Sequence, residues 1–205
     1  MKITYDHNYI RVIDQVLTPE TCHELRTNFE LCERHHSRRS STHVALTELE
    51  LYSTRAQGAR LNSLQLAQKT RPYDWTEHSD RLTDLVMNLG RDYLAHWGHE
   101  QGLALTPELM AIEAFRIKCY RPNQQDQFGL HVDVAHAASS TRYVAFLFYL
   151  NDSDAGTEFP RERYTVAARE GRVVMFPPTW CYPHRGHMPQ NGDSKYIMSS
   201  YLLYT

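Results

Sequence analysis

The sequence predicts an α+β fold in which N-terminal helices support a core of antiparallel strands closed into a double-sheet jelly roll, a double-stranded β-helix. Three observations predict it. Apolar residues recur at helical spacing through the first half, as Cys22, Leu25, Phe29 and Cys32 and again as Leu82, Leu85, Val86, Leu89, Tyr93 and Trp97. After Pro107 the apolar period changes from 3.6 to 2, the spacing of half-buried strands. Short alternating runs there are punctuated by turn residues, as expected of packed antiparallel sheets.

In chain order, Tyr9 to Asp14 reads as a strand with Ile10 and Val12 on one face. Thr18-Pro19-Glu20 comes next as an N-cap with proline at the first helical position, opening the first helix. Residues 38–73 read less regularly: Val44 to Leu51 fits a strand and Ala56 to Lys69 a helix. A stronger helix runs from Thr76 to Gly98, with Gly98 as its expected terminator. Strands are expected over Ile112–Tyr120, Phe128–Asp133, Arg142–Leu150, Gly171–Phe176 and Lys195–Tyr204. Between them lie the turn signals Arg121-Pro122-Asn123, Asn151-Asp152-Ser153, Glu170-Gly171 and Asn191-Gly192-Asp193.

Length and composition fit one domain over 1–205, with helical support mainly over 15–100 and the jelly-roll core mainly over 110–205. Hydrophobic residues make up 41% and aromatics 11%, which excludes a disordered chain. With 22 Lys and Arg against 24 Asp and Glu, the balance argues against a nucleic-acid partner. The basic run Arg34 to Arg39 reads as a solvated helix end or loop. Four scattered cysteines without C-x-x-C spacing suggest reduced, buried thiols. No apolar leader and no membrane-length span are present, so a cytoplasmic protein is expected.

Twelve histidines make any single one uninformative, so geometry must select among them. On one strand, His131 and Asp133 would point to the same face, presenting an imidazole and a carboxylate to a common point. His136 has the opposite parity, and its alanine-rich surroundings suggest that the strand has ended before it. A second histidine, His184 or His187, would complete a two-His-one-carboxylate set, which leaves one side of a metal open and suits a non-haem Fe(II) oxygenase. Lys195, eleven residues after His184, is placed to anchor an anionic co-substrate, with Arg185 as its rival.

The ordered set from Lys118 to Tyr204 resembles the prolyl 4-hydroxylase-like branch of the Fe(II)/2-oxoglutarate dioxygenases. The matching pieces are Lys118 to Pro122, His131-Val132-Asp133, Phe148 to Asn151, Gly156 to Pro160, Gly171 to Phe176, and His184 to Pro189 leading to Lys195-Tyr196. The segment Tyr9 to Phe29 is similar to that family's first strand and helix. The resemblance implies that His131, Asp133 and His184 hold Fe(II), with His184 preferred because it precedes the x-Gly-x-x-Pro pattern. It implies that Lys195 pairs with the distal carboxylate of 2-oxoglutarate and that Tyr149, Tyr120 and Ser199 place hydroxyls nearby. Oxygen and 2-oxoglutarate would be consumed, succinate and CO2 released, and ascorbate would stimulate turnover. The expected reaction is hydroxylation of an unactivated C–H on a prolyl, peptidyl or free amino-acid-like substrate. A carboxylate at Asp133, where halogenating relatives carry a smaller residue, favours hydroxylation. Two departures fall on the substrate side: a single Gly156 replaces the family's paired glycines, and Gly129 stands where several relatives are bulkier.

If Tyr120 faces the pocket, strand parity places Arg116 and Lys118 there too, which would favour an anionic small-molecule or peptide substrate. Long side chains that snorkel to the sheet edge are the competing account of this pair. Two other functions use related chemistry. A nucleic-acid-acting dioxygenase would usually carry Arg in place of Lys195 together with a basic groove, and a cupin-like metal-binding protein would draw more histidines and a Glu at different spacing. A purely structural jelly roll leaves the His-Asp-His-Lys order unexplained.

Overall fold

The computed structural model describes residues 1–36, 38–39, 47–51, 76–107, 110–122 and 127–204. The expected Ala56–Lys69 helix and residues Val44 to Leu46 lie outside these described residues. The chain opens with a hairpin of β1 (Lys2–His7) and β2 (Ile10–Asp14), joined through Asn8 and Tyr9. Both turn residues have positive φ, 48° and 60°, as a two-residue hairpin of this hand requires. Tyr9 is held there by the Tyr93 hydroxyl, which donates to its carbonyl at 2.6 Å, and by ring packing on Trp97. The sequence pattern starts the first strand at Tyr9 and does not reveal β1, whose mostly exposed residues leave no apolar run.

Helix α1 (Pro19–His36) starts as expected, with the Thr18 hydroxyl accepting from the Thr21 N–H at 3.2 Å. Its Cys22, Leu25 and Phe29 are fully buried, and full burial of side chains such as Leu25 and Phe29 contributes roughly 1.5–3 kcal/mol each. Helix α2 (Thr76–Gln101) buries Leu82, Val86, Leu89 and Tyr93. It passes through Gly98, the expected terminator, and ends three residues beyond. Gly102 takes φ +65°, its N–H donates to the His99 carbonyl, and the Leu103 N–H donates to the Gly98 carbonyl. That pair of bonds closes the helix end.

The remaining strands are β3 (Arg38–Arg39), β4 (Thr47–Leu51), β5 (Met110–Ile112), β6 (Phe115–Tyr120), β7 (Phe128–His131), β8 (Arg142–Tyr149), β9 (Ser153–Phe159), β10 (Tyr164–Ala168), β11 (Val173–Phe176), β12 (His184–Gly186) and β13 (Lys195–Tyr204). Among the described residues the major sheet runs β1-β2-β11-β8-β13-β6-β4-β3, with β5 also paired to β13. The minor sheet runs β10-β9-β12-β7. Helices on one face of the major sheet and the minor sheet on its other face give the jelly roll the sequence predicts. No helix among the described residues is long and apolar enough to cross a membrane.

Strand parity divides the core in two. On the helix side, Ile117, Cys119, Phe146, Phe148, Val173, Met175, Met198 and Leu202 meet α1 and α2. Between the sheets, Tyr120, Ala145, Tyr149, Val174, Phe176, Ile197 and Tyr201 meet Phe159 and Val166 of the minor sheet. The expected strand 112–120 is broken at Glu113, whose N–H donates to the Tyr201 carbonyl at 2.9 Å. Residues 153–159, read from sequence as turn and motif, are strand β9. Gly156 fits there because a Cβ would stand 2.4 Å from the Val166 carbonyl oxygen.

Candidate functional site

The site is assembled from two neighbouring strands and one loop. His131 ends β7 and His184 begins β12, and the two are cross-strand partners in the minor sheet. Opposed residues share a face, so the imidazoles lie together with ring centroids 4.3 Å apart. Asp133 is not placed by strand parity as the sequence suggests. β7 stops at His131, and the backbone beyond it turns so that the Val134 N–H donates to the Pro178 carbonyl at 3.0 Å. The carboxylate nonetheless lies 3.5 Å from His131 Nε2 and 3.7 Å from His184 Nε2.

One potential ligand atom from each of His131, Asp133 and His184 lies within 4.8 Å of the others. Both imidazoles are oriented through their other nitrogen: His131 Nδ1 meets the Gly129 carbonyl at 2.8 Å and His184 Nδ1 the Tyr182 carbonyl at 3.1 Å. These contacts favour Nδ1–H, leaving Nε2 as the donor to a metal. Phe159 and Phe176 pack beside the His184 ring. Burial holds the His184 pKa below that of a free imidazole, against the opposing pull of Asp133. Burial alone would raise the Asp133 pKa, but His184, His131 and the Tyr201 hydroxyl together hold it well below the usual carboxylate range. A neutral imidazole and an ionised carboxylate are the protonation states that metal binding requires. Two nitrogens and one oxygen on one side of a point fit divalent iron with its other side open.

The two rival histidines are elsewhere. His136 is exposed and precedes a short 3-10 turn over Ala137–Ser139. His187 lies outside the cluster, with Nε2 2.9 Å from Glu158. Arg185, the rival anchor, points outward and forks onto the same Glu158 at 2.7 and 2.9 Å.

A cavity between the sheets runs from the three clustered side chains past Leu147, Ile197 and Ser199 to Tyr120, Thr157 and Gly186. Lys195 is buried just beyond it. Its ammonium donates to the His187 carbonyl at 2.6 Å and sits 4.1 Å from the centroid of the Tyr120 ring, which lines the cavity. Burial depresses the Lys195 pKa to about 7, with Asp154 opposing. Asn151 fixes the start of β13 by donating to the Ser194 carbonyl and accepting the Tyr196 N–H.

Tyr149 is fully buried on the same inward face, and among the described residues its hydroxyl makes no hydrogen bond of ordinary geometry, the Thr157 side chain being only a weak hydrogen-bonding neighbour. Lys195 approaches the Gly156 carbonyl at 3.5 Å, one residue from Thr157. A buried ammonium and an unsatisfied buried hydroxyl thus converge on one short segment of β9. Both are costly without a ligand, and a carboxylate is the group that would satisfy them.

Of the two expected substrate cations, Lys118 lines the cavity and has its ammonium 5.0 Å from the Phe128 ring centroid. Arg116 does not line it; its guanidinium is 3.2 Å from Glu113. Sequence reasoning does not find Thr157, Tyr201, Arg142 or Glu113. Tyr201 is within its reach, because it shares strand parity with Lys195 and Ser199. Arg142 and Glu113 carry no comparable local signal.

Residues 115–203 match the model of the 2OG-Fe(II) oxygenase superfamily. No curated protein sequence matches the chain. Among solved structures, the fold is similar to the viral collagen prolyl hydroxylase of Paramecium bursaria Chlorella virus-1 in complex with 2OG. That likeness has a TM-score of 0.64 and 14% identity, covering 98% of this chain and 99% of the other. A Pseudomonas putida prolyl-4-hydroxylase gives 0.62 at 14%, covering 97% and 94% of the two chains. The non-heme alpha ketoglutarate dependent epimerase SnoN from nogalamycin biosynthesis gives 0.63 at 14%, covering 95% and 77%. At such identities these likenesses concern the fold, while the family match concerns the segment that carries the cluster. Residues 115–203 thus carry a 2OG-Fe(II) oxygenase domain, and the jelly roll of which they are part is similar in fold to prolyl 4-hydroxylases.

Proposed function

We propose that the protein hydroxylates an unactivated C–H of a peptidyl or free amino-acid-like substrate, with His131, Asp133 and His184 holding Fe(II). When bound, the iron and 2-oxoglutarate supply the oxidising chemistry, consuming O2 and releasing succinate and CO2. The protein contributes position and exclusion of water. Lys195 and Tyr149 receive the distal carboxylate of 2-oxoglutarate at the β9 end of the cavity, with Ser199 on its wall. Tyr120, whose ring packs against the lysine, turns its hydroxyl toward the same group. The observation that carries this reading is an open-sided N,N,O cluster lining a cavity, with a buried ammonium and an unsatisfied buried hydroxyl beyond its β9 wall.

The substrate enters from the His131 side, where Lys118 supports recognition of an anionic group. Lys118→Met should leave slow, substrate-free turnover of 2-oxoglutarate unchanged while reducing coupled hydroxylation by roughly 10-fold, measured as the ratio of product to succinate. Equal ratios in parent and variant would remove Lys118 from substrate recognition.

The test of the whole reading is mass-spectrometric screening of peptides, free amino acids and nucleotides with Fe(II), 2-oxoglutarate and ascorbate. The expected product gains one oxygen in step with succinate release, and ascorbate increases the number of turnovers. A product of unchanged mass but inverted configuration would replace hydroxylation with epimerisation. Oxidation confined to nucleotides would replace the substrate class. No succinate from any substrate would favour a metal-binding protein without turnover.

A further inference from the structure

Asp133 lies past the end of β7, where no sheet ladder fixes it, and a closed ring of polar contacts holds it instead. The Tyr201 hydroxyl donates to Asp133 Oδ1 at 2.9 Å. Arg142 Nη1 donates to the Asp133 backbone carbonyl at 3.0 Å. The same guanidinium forks onto Glu113 at 2.7 and 2.6 Å and stacks 4.0 Å above the Tyr201 ring centroid. Glu113 is tied to β13 on both sides: its N–H donates to the Tyr201 carbonyl, and its own carbonyl accepts from the Ser200 hydroxyl at 2.6 Å. Within this ring the Tyr201 hydroxyl alone touches the carboxylate, and the other contacts hold that hydroxyl and the Asp133 backbone in place.

We propose that Tyr201, braced by the Arg142–Glu113 pair, is a positioning residue that makes Asp133 present one oxygen to the metal rather than two. The inference rests on the reading of His131, Asp133 and His184 as the metal ligands. A carboxylate can bind a cation through one oxygen or both. The hydroxyl engages Oδ1, which lies 3.5 Å from His131 Nε2, and so makes it the poorer donor, while Oδ2, 3.7 Å from His184 Nε2, keeps its full basicity for the ion. Binding through both oxygens would fill a position that co-substrate or O2 needs. A ring that merely fills core opposite Ala145 would do none of this, and the hydroxyl separates the two roles.

The experiment uses Co(II) alone, without co-substrate, on the full chain. Tyr201→Phe keeps the ring and removes the hydroxyl. Its dissociation constant for Co(II) should rise on the order of 10-fold, and its visible absorption should weaken as a second carboxylate oxygen raises the coordination number. Glu113→Gln leaves Tyr201 and Asp133 intact but loosens Arg142. It should shift both readouts in the same direction by a smaller factor, and it decides the matter if Tyr201→Phe does not fold. Asp133→Ala tests the ligand assignment itself. Loss of Co(II) in Asp133→Ala, with parental affinity and spectrum in the other two variants, overturns the positioning role and leaves the ligands standing. Parental Co(II) binding by Asp133→Ala overturns the ligand reading and this inference with it.

Discussion

At the residue scale, Lys195 carries the sharpest predictions. Removing one partner of a buried charge pair costs about 2–5 kcal/mol, so Lys195→Ala should weaken 2-oxoglutarate binding by at least roughly 30-fold in calorimetric titration. Unchanged affinity would move the anchor to another cation. Burial depresses this lysine to about 7, so in the free protein its charge is present below that pH and lost above it. A carboxylate binds the charged form. Affinity for 2-oxoglutarate should therefore fall as pH rises from about 7 to 9, with proton uptake on binding, seen by comparing buffers of different ionisation enthalpy. Affinity that is flat across this window would show that the anchoring group does not titrate there. The choice between histidines is equally direct. His184→Ala should abolish Fe(II)-dependent succinate formation, whereas His187→Ala should retain most of it, since His187 faces Glu158 at the surface. The reverse result would exchange their roles.

At the element scale, the fold was legible where one face of an element is buried. Both helices, the N-cap at Thr18 and the strands β8 and β13 follow from apolar periodicity and turn residues. β1, β10 and β12 escaped because exposed or very short strands carry too few buried positions to show a period. The order His131-x-Asp133, His184, Lys195 was legible, but Asp133 sits in a loop and depends on Tyr201 and Arg142, contacts between residues distant in sequence that no local pattern encodes. The packing of Tyr120 over Lys195 was likewise hidden, because parity gives a face and not an order of depth. One junction can be tested directly. Gly171 has φ +74°, its carbonyl accepts the Val16 and Leu17 N–H groups, and a Cβ there would lie 2.3 Å from the Leu17 carbonyl oxygen. Gly171→Ala combines backbone strain with a clash and should destabilise the protein by about 2–5 kcal/mol in chemical denaturation. A loss below about 1 kcal/mol would mean that the β2–α1 junction yields easily.

At the scale of the whole molecule, metal binding should be visible as stability. An ion that binds only the folded chain stabilises it by about 2.7 kcal/mol at one hundred times its dissociation constant. For a chain of this size that is a rise in melting temperature of roughly 5–10 °C. Co(II) should produce that rise in the parent and not in Asp133→Ala; an equal rise in both would place the ion elsewhere. The jelly roll also concentrates its chemistry on few elements, and β13 is the extreme case. Its alternate residues serve two masters: Ser199 and Tyr201 line the cavity, with Lys195 of the same parity buried beyond it, while Met198 and Leu202 seal the helices against the sheet. The strand therefore behaves like text read in a frame of two. Inserting or deleting one residue near Ile197 would put the two flanks out of frame, so that either the ammonium turns toward α1 and α2 or methionine and leucine turn toward the cavity. A change of two residues would restore the alternation and shift only the position along it, so length variation that survives in this strand should come in even steps.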